Sequence, residues 1–103
     1  MSKPRSEYEL YLPVGDENIQ SPKIICIKNE LIKVFGGVTE TKYRNKGVWL
    51  YGKVKMTDAV NIWRFLGPKT KANESAIKRA QRLLKKAFEQ KAILVVKRRV
   101  FFV

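Results

Sequence analysis

The chain has 103 residues, near the commonest size of a single domain, and 45% of them are apolar, which is enough for one packed core and excludes a disordered basic tail. Lysine and arginine number 22 against 9 acidic residues, so the net charge is +13. A compact protein with such a charge repels itself, which favours a polyanionic partner, with nucleic acid the first candidate and an anionic membrane surface the second. The charge could also serve solubility alone.

Several kinds of chemistry are excluded by the residues that the chain lacks. It has no histidine and a single cysteine, Cys26, so a structural zinc site, a histidine general base and an intrachain disulfide cannot be built. The acidic residues are scattered, and no spacing among them demands a magnesium ion. We therefore predict no enzyme activity, no catalytic residue, no metal and no cofactor.

The cellular location follows from the apolar runs and from the N-terminus. No run is long enough to span a bilayer, and the first residues lack the apolar segment of a signal peptide. A lone cysteine suits a reducing compartment. We expect a cytoplasmic protein that does not enter the membrane.

The first predicted element is a β-strand that follows a flexible arm. We assign residues 1–7 to the arm and residues 8–103 to a single α+β domain. From Tyr8 to Val14 large apolar residues alternate with other residues, which is the period of a strand with one buried side.

A helix is predicted next. Ser21-Pro22 supplies an N-cap hydroxyl and a proline at the first helical position, and Gly36-Gly37 supplies a C-cap. Between them apolar residues recur three and four positions apart, at Ile24, Ile27, Leu31 and Phe35. Cys26 lies within this apolar helix, so we expect its thiol to be buried and unreactive.

Extended segments are predicted at residues 38–43 and 47–51, separated by a turn, and at residues 59–66. The last of these is rich in β-branched and aromatic residues and ends at Gly67-Pro68. Trp63 lies in this strand, where a tryptophan belongs more often to the core than to the surface.

The second helix is the clearest element of the sequence. Asn73 is the predicted N-cap, and Glu74 in the first turn faces the positive end of the helix dipole. At 100° per residue one arc of the helix is apolar, with Ile77, Ala80, Leu83, Leu84, Ala87 and Phe88. The opposite arc is basic, with Lys78, Arg79, Arg82, Lys85 and Lys86. A last strand is predicted over residues 92–103.

The order of elements is β-α-β-β-α-β. It predicts the ferredoxin-like α+β sandwich, in which two helices cover one face of a four-stranded antiparallel sheet. The alternative is another α+β roll with the same elements in a different strand order.

Core and turn residues along the whole chain resemble an uncharacterised family of small bacterial α+β domains. The similar stretches are Tyr8–Leu12, the helix end Phe35–Thr39, Gly47–Trp49 and the helix end Phe88–Gln90. The chain departs from the family at Leu12-Pro13, where an aromatic residue and glycine are common, and at Lys91, where the family has glutamate. The resemblance implies the fold and carries no activity.

The basic arc of the second helix is the main candidate site. Like charges four residues apart repel each other, so a one-sign face disfavours the helix and points to a function. We extend the predicted nucleic-acid site to the basic triplet of the last strand, and its members are Lys78, Arg79, Arg82, Lys85, Lys86, Lys97, Arg98 and Arg99.

The open face of the sheet is a second candidate surface. Tyr11, Tyr51, Trp63 and Phe102, with Arg98 nearby, could stack bases there as RNA-binding sheets do. The same face could instead be buried against a second copy of the chain, and we favour this homodimer, formed through the sheet face or an edge strand.

These observations favour a non-catalytic domain that binds nucleic acid or a nucleoprotein complex through a Lys/Arg helix face. The alternative is a protein-interaction module, such as a small adaptor or a phage-type inhibitor that blocks a partner protein. A metal-dependent nuclease would need an acidic cluster that the sequence does not display.

Overall fold

The computed structural model describes residues 5–12, 21–44, 49–51, 54–56, 59–88 and 93–101. The elements in chain order are β1 (Arg5–Leu12), α1 (Pro22–Phe35), β2 (Thr39–Arg44), β3 (Trp49–Tyr51), β4 (Val54–Met56), β5 (Ala59–Pro68), α2 (Lys71–Ala87) and β6 (Leu94–Val100).

The main sheet has four strands in the order β2-β5-β1-β6, and every neighbouring pair is antiparallel. In the centre, Leu10 of β1 lies opposite Trp63 of β5 on one side and Val95 of β6 on the other. This is the ferredoxin-like strand order, so the predicted fold class is confirmed. The short strands β3 and β4 pair with each other as a separate two-stranded sheet.

The core lies between the sheet and the helical layer formed by α1 and α2. Alternation along β1 and β5 turns Tyr8, Leu10, Trp63 and Phe65 toward the helices, and each is at most 1% exposed. The helices meet them with Ile24, Ile27, Leu31, Ile77, Ala80 and Leu84. Trp63 is therefore a core residue, as its position in a strand predicts, and its alternative place on an open, base-stacking face is wrong.

The start and end of α1 follow the sequence signals. The hydroxyl of Ser21 accepts a hydrogen bond from the Ile24 amide at 3.4 Å, and Pro22 occupies the first turn. Gly36 ends the helix with φ at 88°, in the left-handed region where a side chain is disfavoured. Both predicted caps are confirmed.

The start of α2 differs from the prediction. Thr70 is the N-cap, and its hydroxyl accepts a hydrogen bond from the amide of Asn73 at 3.1 Å. Asn73 lies in the first turn, where its side-chain amide donates to the carbonyl of Pro68 at 2.7 Å. Thr70 and Asn73 are both good capping residues, three positions apart. Asn73 is buried in the first turn because its side chain bonds to β5, and Thr70 is therefore the cap.

Two further predictions are corrected. Residues 5–7 belong to β1, which pairs with β5 and β6, so the structure gives no arm over those three residues of the predicted 1–7. Cys26 is exposed, because it lies 200° around α1 from the buried Ile24.

The sheet face away from the helices carries Tyr11, Val60, Ile62 and Leu94, which pack together in a small second cluster. Of the other residues predicted for this face, Trp63 points toward the helices, Tyr51 belongs to the separate β3-β4 sheet, and Phe102 lies outside the described residues. The homodimer stays a prediction.

Candidate nucleic-acid interface

The phase of α2 places its cations on the outside of the molecule. Asn73, Ile77, Ala80 and Leu84 define the buried side of the helix. The opposite side presents Lys78, Arg79, Arg82 and Lys86 as exposed residues and Lys85 as a half-exposed one. We call these five residues the α2 cations. The predicted basic arc is therefore present as one continuous surface.

The α2 cations have no counter-charge among the residues that the structure describes. None of the five makes a hydrogen bond or an ion pair with any residue that the structure describes. Glu74 is the one acidic residue of α2, and it faces the sheet, where it contacts Lys97 and Tyr8. The self-repulsion along this helix is consequently unrelieved within the described structure.

A groove runs along the boundary between α1 and α2. One part of it has a volume of about 530 Å³ and is lined by Ile27, Val34 and Ala76, with Lys33 and Arg79 on its two sides. A neighbouring part is lined by Cys26 and Leu83, with Lys23 and Lys86 on its sides. The groove therefore has an apolar floor and cations contributed by both helices.

Glu30 is the one acidic side chain among the described residues that line this groove. Neither Lys23 nor Lys33 pairs with it or with any other described residue. The outer surface of the helical layer is thus strongly positive, and Glu30 is the negative charge among the described residues of its groove.

Two of the three cations in the basic triplet of β6 are paired with carboxylates and are not part of this surface. The amine of Lys97 contacts the carboxylate of Glu74 and lies over the ring of Tyr8, on the helix side of the sheet. Arg98 points to the opposite face, where it pairs with Glu7 and Glu9. Arg99 is exposed on the helix side and has no ion pair with the described residues.

An ion-pair network that the sequence did not predict lies on the sheet face away from the helices. Glu9 is only 3% exposed, and its carboxylate is flanked by Arg98 and by Arg64, whose Nη2 lies 2.9 Å from Glu9 Oε2. Arg64 Nε also lies 3.2 Å from Glu7 Oε1. The register places Glu9 directly between Arg64 of β5 and Val96 of β6, and Glu7 opposite Arg98. Only that register could have revealed the network.

The surroundings of Glu74 and Tyr8 shift the pKa values of both groups. The amine of Lys97 and then the hydroxyl of Tyr8, which donates at 2.7 Å, hold the pKa of Glu74 below its ordinary value. Burial, assisted by the hydrogen bond to Glu74, raises the pKa of Tyr8 to about 12. Both groups therefore keep their ordinary neutral-pH charges, and the network has a structural role.

The described part of the chain has neither a cluster of metal ligands nor a membrane-spanning helix. No three His, Cys, Asp or Glu side chains come together there in a way that could hold a metal ion. No described helix is long and apolar enough to span a membrane. Asp16, Glu17 and Asp58 lie outside the described residues.

Comparison with known proteins shows the fold of the chain and nothing finer. No protein-family model matches the sequence, and no curated protein matches it. The family resemblance suggested by the core and turn residues is therefore supported only as far as a small α+β fold.

Solved structures with this fold are similar over nearly the whole chain. CutA1 from Oryza sativa superposes with a TM-score of 0.56 at 12% identity, over 96% of this chain and 82% of that one. A phage SAM lyase in its apo state superposes with a TM-score of 0.55 at 14% identity, over 99% of this chain and 86% of the lyase. A phage SAM lyase in complex with S-methyl-5'-thioadenosine superposes with a TM-score of 0.52 at 14% identity, over 97% of this chain and 88% of the lyase.

Proposed function

We propose that this chain binds nucleic acid through the outer surface of its helical layer, with the α2 cations as the main contacts. The observation that carries the proposal is that all five lack a counter-charge among the described residues. A phosphate backbone would supply that counter-charge. Releasing the ions condensed on the nucleic acid then drives binding.

The arrangement of these cations supports a ligand more than a purely solvated surface. Lys78, Arg82 and Lys86 follow one another at four-residue intervals, and each adjacent pair of like charges destabilises the helix by about 0.2–0.5 kcal/mol. Replacing Arg82 by an acidic residue would remove both repulsions. A surface that keeps them is suited to an anionic partner.

The salt dependence of binding tests the proposal. We expect the logarithm of the association constant for duplex DNA to fall with the logarithm of the salt concentration, with a slope of about 0.9 for each phosphate contacted. Five contacts by the α2 cations would give a slope of about 4.5. Fluorescence anisotropy of a labelled oligonucleotide at several salt concentrations measures it.

The variant Arg82→Glu with Lys86→Glu should weaken binding at least about tenfold at low salt and lower the slope by about two contacts. Its far-ultraviolet circular dichroism and its melting curve check that the fold is kept. Equal binding by this variant and by the parent chain would disprove the proposed surface. Absence of nucleic-acid binding by the parent would favour the alternative, contact with an acidic partner protein.

A second candidate function comes from the structural likeness to the phage SAM lyase, which spans 99% of this chain and 86% of the lyase. The chain would then break the bond between the sulfur of S-adenosylmethionine and its amino-acid fragment, whose carboxylate closes on the freed carbon as a lactone, and would release S-methyl-5'-thioadenosine, the ligand bound in the other lyase structure. Folds of this kind host many unrelated functions, so the likeness alone ranks below the unpaired cations.

Incubation with S-adenosylmethionine, followed by chromatography for S-methyl-5'-thioadenosine, tests the second candidate. Heated protein and Arg82→Glu with Lys86→Glu serve as controls. Product formed at an equal rate by the parent and by this variant would establish catalysis that does not use the α2 cations. Product at the background rate would remove this candidate.

A further inference from the structure

We infer that the ligand of the helical layer is a nucleic-acid duplex, bound through both phosphate backbones and without recognition of its bases. The inference rests on the proposed function and names the form of nucleic acid that the surface suits. Three features of the layer carry it: the absence of exposed aromatic rings, the width of the layer, and the presence of cations on both helices.

The first feature excludes base stacking as the source of affinity. Residues 21–36 and 71–88, which form the layer, are all described, and their aromatic residues are Phe35 and Phe88. Both pack against the core cluster. Proteins that hold single strands stack the bases on aromatic rings. Because the layer has no exposed ring, it can hold a single strand only through the phosphates of that strand.

The second feature excludes insertion of both helices together into one groove of the duplex. α1 and α2 lie side by side over the sheet and share a continuous groove. Two packed helices with axes 8–10 Å apart and diameters of 10–12 Å make a layer roughly 20 Å wide. The major groove of B-DNA is about 12 Å wide and admits one helix, so cations of both helices contact a duplex together only from outside the groove, along its phosphates.

The third feature is the presence of cations on both sides of the groove. Lys23 and Lys33 of α1 face Arg79 and Lys86 of α2 across the apolar floor. A duplex carries one charge for about every 1.7 Å of its length, twice the density of either of its strands. A surface that binds by charge alone therefore favours the duplex, whose two backbones can meet the two rows of cations.

The decisive comparison is between a duplex and its separated strands. We expect a DNA duplex of about 20 base pairs, and an RNA duplex of equal length, to bind at least about tenfold more tightly than either single strand at low salt. Two duplexes of unrelated sequence should bind within about threefold of each other, since phosphates carry no sequence information. Comparing the affinities of the DNA duplex and the RNA duplex shows which of the two the surface binds more tightly.

Single strands that bind as tightly as the duplex would overturn this inference and leave the proposed function standing. A difference of more than about tenfold between unrelated duplexes would overturn it too, because it requires base or shape recognition. If no nucleic acid binds, the proposed function fails and the inference fails with it.

Variants of α1 test the two-row arrangement. Lys23→Gln with Lys33→Gln lowers the net charge from +13 to +11, and so does the control Arg99→Glu on β6. The α1 variant should weaken duplex binding severalfold and the control much less. The change Glu30→Gln, which removes the acidic residue of the groove, should tighten duplex binding by about two- to threefold. Equal effects of the α1 variant and the control would contradict the arrangement.

Cys26 supplies an independent measurement of where the duplex lies. It is the single cysteine of the chain, and it is exposed in the part of the groove that Leu83 and Lys86 line. A saturating duplex should slow the alkylation of Cys26 severalfold. An unchanged rate in the presence of a bound duplex would place the ligand away from the groove.

Discussion

The cations of α2 and the cations of the sheet differ in what surrounds them. Arg64, Arg98 and Lys97 each contact at least one carboxylate. The α2 cations contact none among the described residues. The charges of these three residues are therefore part of the folded structure, whereas charge on α2 is available to a partner. A net charge alone does not make this distinction, which requires the contacts of each side chain.

The largest effect that we predict tests the phase of α2, on which the comparison depends. Leu84 is fully buried, while its neighbour Leu83 is 37% exposed beside the groove. Leu84→Ala should lower the free energy of unfolding by about 2–5 kcal/mol, because it removes buried methyl groups and leaves a cavity. The matched variant Leu83→Ala should cost less than about 1 kcal/mol. Urea unfolding measures both, and similar losses would mean that the cations face another way.

The next effect concerns the ion pairs of the sheet. Glu9→Gln keeps the shape of the side chain but removes the charge that Arg64 and Arg98 share, and we expect a loss of about 1–3 kcal/mol in the free energy of unfolding. The control Glu7→Gln, at a more exposed carboxylate of the same network, should cost less than about 1 kcal/mol. If Glu9→Gln unfolds at the same urea concentration as the parent chain, the pairing of Arg64 and Arg98 with Glu9 does not stabilise the fold, and the contrast with the α2 cations fails.

A smaller effect should be visible in the pH dependence of stability. The pKa of Glu74 is lower in the folded chain than its ordinary value of 4.5, because Lys97 and Tyr8 hydrogen-bond to the carboxylate. The unfolded chain therefore binds the proton more tightly, and the stabilisation present above pH 4.5 is lost as the pH falls through the lowered pKa.

Replacement of Glu74 by Gln should flatten this acid limb of a plot of melting temperature against pH. The variant Lys86→Gln, at a cation of the same helix that lies far from Glu74 and has no partner among the described residues, should leave the shape of the plot unchanged. A parent and a Glu74→Gln variant with the same acid limb would show that the contact with Lys97 does not stabilise the fold.

The smallest effect has the opposite sign. Arg82→Glu places an acidic side chain four residues from both Lys78 and Lys86, so two repulsions become attractions and the fold should gain a few tenths of a kcal/mol. Thermal melting at low salt, where the gain is largest, would detect it. A loss of stability on this change would show that Arg82 has a structural partner.

Much of the fold could be predicted because its signals are local. Ser21-Pro22 and Gly36 lie at the ends of α1, and the angular positions of apolar residues place the basic arc of α2 on the outside. Neighbouring residues alone determine these features. Cys26 was misplaced because its apolar neighbourhood was counted and its angle around the helix was not.

The features that could not be predicted depend on contacts between distant segments. Both sides of β5 carry large apolar residues, so alternation does not say whether Trp63 or Ile62 faces the helices. The pairing of Glu9 with Arg64 joins residues 55 positions apart and follows only from the register of β1 against β5. The choice of Thr70 over Asn73 as the N-cap likewise needs the position of Pro68.

Duplex binding by two arginine variants tests the central claim most directly. Arg82→Glu and Arg99→Glu make the same chemical change at exposed residues and lower the net charge equally, from +13 to +11. If the α2 cations are the binding surface, anisotropy titrations at one low salt concentration should show at least about a fivefold greater loss of affinity for Arg82→Glu than for Arg99→Glu. Equal losses would mean that the duplex responds to the total charge of the protein, and the α2 surface would have no special part in binding.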